Sequence, residues 1–256
     1  MEINKIYLGD CKELIKQVPD KSVQIIYTDV PYLYQLVGGG SSDVAKRIRA
    51  NADRLAEAKI DKGFDYVIFN EFARTQPKIN LFIWCSKMQI FDIANWWINW
   101  AKENGRDIFY EILTWHKTNP TPSTNNVWLP DTEYCLFFRE RGVKLNDGYG
   151  HKQKFYVSGL NVLDKTDYKH PTCKPLEFVI KNIEHVCQPG DTVLDPFVGS
   201  GTTCVAAKQL GLNYIGFEIN EKYYKIAVDR LNGINQKGQM SLLDTNFEQL
   251  DLFKGE

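Results

Sequence analysis

Residues 192–203 constrain this chain more than any other stretch. An apolar run, Thr192-Val193-Leu194, passes into Asp195-Pro196-Phe197-Val198-Gly199-Ser200-Gly201, and a helical stretch opens near Thr203. A buried strand, a tight glycine turn and a helix in that order belong to a parallel α/β sheet. Gly199 and Gly201 let the backbone turn sharply and approach a ligand closely. Turns at the carboxyl ends of parallel strands are where open α/β sheets bind ligands. About 20 residues on, the strand Tyr214-Ile215-Gly216-Phe217 ends in Glu218, placed to accept hydrogen bonds from ribose hydroxyls.

The rest of the chain repeats this alternation. Apolar runs read as strands at Lys5–Leu8, Val23–Thr28, Ile79–Trp84, Phe109–Trp115, Glu133–Phe138, Thr192–Leu194 and Tyr214–Phe217. Helical stretches lie at Lys12–Gln17, Lys87–Glu103, Leu176–Val186, Thr203–Leu210 and Glu221–Leu231. The expected fold is α/β, a seven-stranded, mostly parallel, doubly wound sheet. Phe109–Trp115 and Glu133–Phe138 are joined without an obvious helix, which predicts one antiparallel edge strand. The Trp96-Trp97 and Trp100 cluster is expected in the core rather than stacked on a ligand.

The cofactor turn lacks the Gly-x-Gly-x-x-Gly of a dinucleotide site. It also opens with Asp195, a poor neighbour for a pyrophosphate but a good one for a cation. S-adenosylmethionine carries both a sulfonium and an ammonium, and the turn favours it.

A second motif, Asp29-Val30-Pro31-Tyr32, ends the strand Val23–Thr28. An amino group on a nucleobase is a poor nucleophile because its lone pair is spread into the ring. Two acceptors on its two hydrogens draw the nitrogen towards a tetrahedral, more nucleophilic state. Asp29 can supply one and the Val30 carbonyl the other, with Pro31 restricting the direction of that carbonyl. Tyr32 offers a flat face for an extruded base.

Composition excludes several classes. No apolar run reaches the roughly 18 residues of a membrane span. The start, Met1-Glu2-Ile3-Asn4-Lys5, lacks the pattern of a signal peptide, so a cytoplasmic location is the default expectation. Neither the six cysteines nor the four histidines have metal-ligand spacing, so no metal is expected and the thiols are expected to be buried and reduced. A net charge of −1 does not mark a nucleic-acid binder. However, Arg139–Lys174 carries eight basic and four acidic residues, a surplus suited to phosphates.

These motifs together resemble the DNA amino-methyltransferases with an Asp-Pro-Pro-Tyr motif, in the permuted order called the beta group. The likeness runs from Ile6 to about Leu231. Tyr7-Leu8-Gly9-Asp10-Cys11 resembles the opening Gly-Asp segment, and Trp115-His116-Lys117 its Trp-x-Lys segment. His170-Pro171-Thr172-Cys173-Lys174-Pro175 resembles His-Pro-Thr-x-Lys-Pro, and Gln188–Thr203 the cofactor turn. The family usually has proline where this chain has Val30. The resemblance implies a Rossmann-like S-adenosylmethionine-dependent methyltransferase fold acting on double-stranded DNA, in a bacterial or phage-infected cell. It implies base flipping and direct in-line transfer to adenine N6, since relatives acting on cytosine N4 more often carry serine at position 29. N4-cytosine methylation and a catalytically impaired DNA-binding relative remain as alternatives, and a homodimer is compatible with the sequence.

By this resemblance Asp29, Val30, Pro31 and Tyr32 form the catalytic motif. The cofactor site is then lined by Asp10, Cys11, Asp29, Lys174, Asp195, Phe197, Gly199, Ser200, Gly201, Thr202, Glu218 and Ile219. Residues 1–118 and 168–235 would form the catalytic domain, with a 33–63 insertion as a possible DNA-contacting flap. Residues 119–167 would form a hairpin plus a small target-recognition region, and 236–256 a tail. Within Arg139–Ser158, the residues Arg141, Lys144, Lys152, Lys154 and Tyr156 are the expected DNA contacts.

Overall fold

The computed structural model describes residues 1–33, 46, 63–120, 122, 128–146, 152–159 and 173–233. Expectations for the 34–62 flap (Lys46 apart), for His170–Thr172 and for the tail fall outside these residues.

Eight strands form one sheet. They are β1 (Lys5–Leu8), β2 (Ile25–Asp29), β3 (Asn80–Cys85), β4 (Ile108–Lys117), β5 (Thr132–Glu140), β6 (Phe155–Ser158), β7 (Thr192–Asp195) and β8 (Asn213–Glu218). Their order across the sheet is β1-β8-β7-β2-β3-β5-β4-β6. The first five of these strands run parallel to one another. Strand β5 is antiparallel to both β3 and β4.

The fold class is the expected one, with two differences. The antiparallel strand lies inside the sheet rather than at its edge, because β5 inserts between β3 and β4. The eighth strand, β6, pairs parallel with β4; it lies within Arg139–Ser158, the stretch expected to contact DNA, and only alternate side chains turn inward. Strands β5 and β6 belong to the same sheet as the cofactor turn.

The described helices are α1 (Cys11–Leu14), α2 (Ile68–Thr75), α3 (Ile90–Glu103), α4 (Leu176–Val186), α5 (Thr202–Gln209) and α6 (Glu221–Leu231). Helix α2 is additional to the expected set. It buries Ile68, Phe69 and Phe72 on one face, as an amphipathic helix should. Helices α2 and α3 cover one side of the sheet around Leu81, Ile83, Leu136 and Phe138. Helices α4 and α5 cover the other around Phe82, Trp84, Phe137 and Val193. All six residues of β3 are buried, as expected for a central strand covered on both faces. Trp97 is fully buried, with Trp96 and Trp100 edge-on against it, so the tryptophan cluster is core. None of the six cysteines forms a disulfide, and all but Cys11 are buried. No described helix is long and apolar enough to cross a membrane.

Candidate active site

The carboxyl ends of β1, β2, β7 and β8 open onto a cavity of about 480 Å³, within the roughly 300–1,000 Å³ range of small-ligand sites. Two sets of residues far apart in sequence meet there. One is the catalytic motif Asp29, Val30, Pro31 and Tyr32; the other comprises Asp10, Cys11, Lys174, Asp195, Phe197, Gly199, Ser200, Thr202, Glu218 and Ile219.

Asp195 closes β7 with a buried side chain. One carboxylate oxygen accepts from the Thr28 hydroxyl at 2.9 Å and from the Phe197 N–H at 3.1 Å. Burial pushes this carboxyl up to about 7, against the hydrogen bonds from Thr203, Phe197 and Thr28. Glu218 closes β8 and accepts the Gly199 and Asn220 N–H groups, each at 2.8 Å. Each oxygen keeps a lone pair for a further donor. Asp10 caps the short helix α1 by accepting from the Lys12 N–H at 2.9 Å.

Gly201 belongs to the turn but not to the cavity lining. Its φ is +85°, and a Cβ there would lie 3.1–3.4 Å from Ala227 on α6. Its requirement for glycine comes from helix packing as well as backbone conformation.

Asp29 ends β2, and its side chain is 26% exposed, turned to the cavity. Lys174 Nζ lies 2.5 Å from Asp29 Oδ2. The other oxygen, Oδ1, is buried and has no hydrogen-bond partner among the described residues. Burial raises the Asp29 carboxyl above its usual range, with Lys174 pulling the other way. Val30 is buried, and its N–H donates to the Trp84 carbonyl at 3.2 Å.

Three contributors to the site were not evident in the sequence. Buried Gln89 donates to the Pro31 carbonyl at 3.0 Å and accepts the Leu33 N–H at 3.2 Å, so it clamps the loop after Asp29. Arg230, fully buried on α6, donates to Thr202 Oγ1 at 2.8 Å behind the cofactor turn. Glu133, on β5, accepts from the Tyr32 hydroxyl at 3.4 Å and pairs with Lys117 and Lys174. Tyr32, the Trp-x-Lys segment and Lys174 were legible in the sequence, but nothing there pointed to Glu133 as the acid that joins them.

The expected DNA contacts are not brought together. Arg139 pairs in register with Asn80, the first residue of β3, so Arg141 and Lys144 lie at the end of the sheet remote from the cavity. Arg141 is also paired with Asp107 at 2.5 Å. Lys154 pairs with Glu111 at 2.5 Å, and Lys152 is exposed. The Tyr156 ring is stacked on Phe178 at 5.1 Å and its hydroxyl donates to Glu177 at 2.8 Å. At the cavity end, the Lys117 N–H bonds to the Asp131 carbonyl at 2.7 Å. The β4–β5 connection therefore leaves the sheet beside the site, and Trp128 within it is 97% exposed.

A strand-end acid motif and a glycine turn facing one cavity define the class, and the comparisons agree. Residues 23–229 match the family model described as DNA methylase, and the chain belongs to that family. It is 31% identical to Type II methyltransferase M2.DpnII of Streptococcus pneumoniae, over 91% of this chain and 92% of that protein. Among solved structures, the M1.HpyAVI–SAM complex superposes with a TM-score of 0.64 at 29% identity, covering 89% of this chain and 98% of the other. PvuII DNA methyltransferase, described as cytosine-N4-specific, superposes at 0.60 with 18% identity over 88% and 85% of the two chains, a likeness of fold alone.

Proposed function

We propose that this chain transfers a methyl group from S-adenosylmethionine to the N6 amino group of adenine in double-stranded DNA. The observation that carries the reading is the unpartnered Oδ1 of Asp29, a buried acceptor in a cavity walled by further acids. A buried acceptor without a donor costs about 1–3 kcal/mol; an amino group supplies that donor. The donor set also fits the cofactor. Glu218 keeps lone pairs for ribose hydroxyls, and the acids Asp10, Asp29 and Asp195 suit a cationic ligand and disfavour a pyrophosphate. When bound, the cofactor supplies an activated methyl group on a sulfonium sulfur.

The chain's own residues prepare the acceptor nitrogen. Asp29 Oδ1 and the Val30 carbonyl each take one N–H of the amino group, freeing its lone pair from the ring. Tyr32 stacks on the extruded base. Ionised Asp29 offsets the positive charge that develops on nitrogen. Alignment of nitrogen with the methyl carbon supplies much of the acceleration, an effect that reaches roughly 7–11 kcal/mol in well-oriented systems.

The fold does not choose the base, since a protein described as cytosine-N4-specific shares it. The lean towards adenine rests on aspartate at position 29. The duplex is proposed to approach the cavity end of the sheet, where Trp128 is exposed, rather than the end bearing Arg141. Asp29→Ala is expected to retain S-adenosylmethionine binding in a calorimetric titration, weakened by the loss of one acid, and to lose DNA methylation. Near-normal turnover in that variant would remove Asp29 from the mechanism.

A further inference from the structure

Glu133 has no part in the mechanism above, yet it gathers three donors from three separate segments. Lys117 on β4 lies 2.6 Å from Oε1. Lys174, just before α4, lies 3.2 Å from Oε2, and the Tyr32 hydroxyl, after β2, donates to the same oxygen at 3.4 Å. The Glu133 side chain is only 19% exposed. Burial alone would push its carboxyl up, but the two ammonium groups override that and hold it at about 2. The two ammonium groups therefore favour its ionised form.

The Lys174 ammonium is confined from several sides. It touches Asp29 Oδ2 and Glu133 Oε2 and sits 5.2 Å from the ring centroids of both Tyr32 and Trp84. An ammonium on a four-carbon stem is a mobile point charge unless something fixes it. Tied only to Asp29, it could move across to Oδ1 and cover the oxygen that the amino group needs. A second carboxylate on its far side holds it over Oδ2. The same carboxylate fixes the Tyr32 hydroxyl and so the tilt of that ring.

We propose that Glu133 is a positioning residue for methyl transfer, anchoring Lys174 on one oxygen of Asp29 and orienting Tyr32 so that the other oxygen stays open to the amino group. This rests on the reading of Asp29 as the amino-group acceptor.

The test compares wild type, Glu133→Gln, Glu133→Asp and Asp29→Ala in one single-turnover methylation assay on duplex DNA, across pH, with cofactor affinity titrated separately. Glu133→Gln is expected to lower the transfer rate by about ten- to a hundredfold, with cofactor affinity kept within about threefold. Its acid limb should move to lower pH, because the Glu133 charge opposes ionisation of Asp29 and that opposition is gone. Glu133→Asp, one methylene shorter, keeps the charge but not the reach. It should lose rate while its acid limb stays at the wild-type position, and it carries the test if the glutamine variant does not fold. A purely structural ion pair predicts a lower melting temperature with the rate and acid limb unchanged in either variant, and that result overturns the proposal. An active Asp29→Ala would instead defeat the acceptor reading, whereas an inactive Asp29→Ala beside a normal Glu133→Gln would defeat only the role of Glu133.

Discussion

The N–H of Val30 bonds to the Trp84 carbonyl, which stitches the catalytic motif to β3 just beyond the last paired residues. Valine can make that bond; the proline usual in the family cannot. Val30→Pro is therefore expected to cost about 1 kcal/mol of stability, the worth of one hydrogen bond. The acceptor at this position is a backbone carbonyl, which the change retains. Turnover should stay within about tenfold, a barrier change of about 1.4 kcal/mol or less. Denaturant unfolding and initial rates measured together check both figures. A hundredfold gain in rate would mean that valine cripples the natural site.

At the scale of elements, acids at the ends of parallel strands meet over one cavity, and burial perturbs them. Asp195 at the end of β7 is pushed up to about 7, above the roughly 3.9 of an exposed aspartate. A carboxyl raised in the folded state favours folding when protonated. Its contribution is fully present below about pH 4 and is lost as pH rises through 7. Melting temperatures of the unliganded protein between pH 4 and 8 should fall more steeply in wild type than in Asp195→Asn. Equal slopes would mean that Asp195 ionises normally.

The same strand ends explain what was legible in the sequence. Asp29, Asp195 and Glu218 each close an apolar run, and position at a strand end is visible without a structure. Glu133 was hidden because it sits near the start of an apolar strand and its partners lie at positions 32, 117 and 174. Arg230 was not legible, since nothing local reveals that its face of α6 packs behind the cofactor turn. The antiparallel pair was legible because the sequence joining its two strands shows no obvious helix. The insertion of β5 beside β3 was not, because pairing partners across a sheet are non-local.

Considered as a whole molecule, the sheet has two ends with different tasks. The carboxyl end holds the cavity, and the far end holds Arg141 and Lys144. Strand β3 spans six residues, so at about 3.3 Å per residue the ends lie roughly 20 Å apart. If, as proposed, the duplex seats over the cavity, Arg141 at the far end takes no part in binding. Arg141→Ala should leave DNA affinity within about twofold, while Trp128→Ala should weaken it by about fivefold or more, removal of an aromatic stacking contact being worth roughly 1–3 kcal/mol. Fluorescence anisotropy with a labelled duplex at fixed salt distinguishes the two, and the reverse ranking would move the DNA to the other end.

The central claim is chemical: an oxygen of Asp29 prepares an adenine amino group to receive a methyl. Nucleoside mass spectrometry of duplex DNA incubated with the purified protein and isotopically labelled S-adenosylmethionine tests it most directly. The account predicts labelled N6-methyldeoxyadenosine with wild type and none with Asp29→Ala; label appearing only as N4-methyldeoxycytidine, or equally in both proteins, would contradict it.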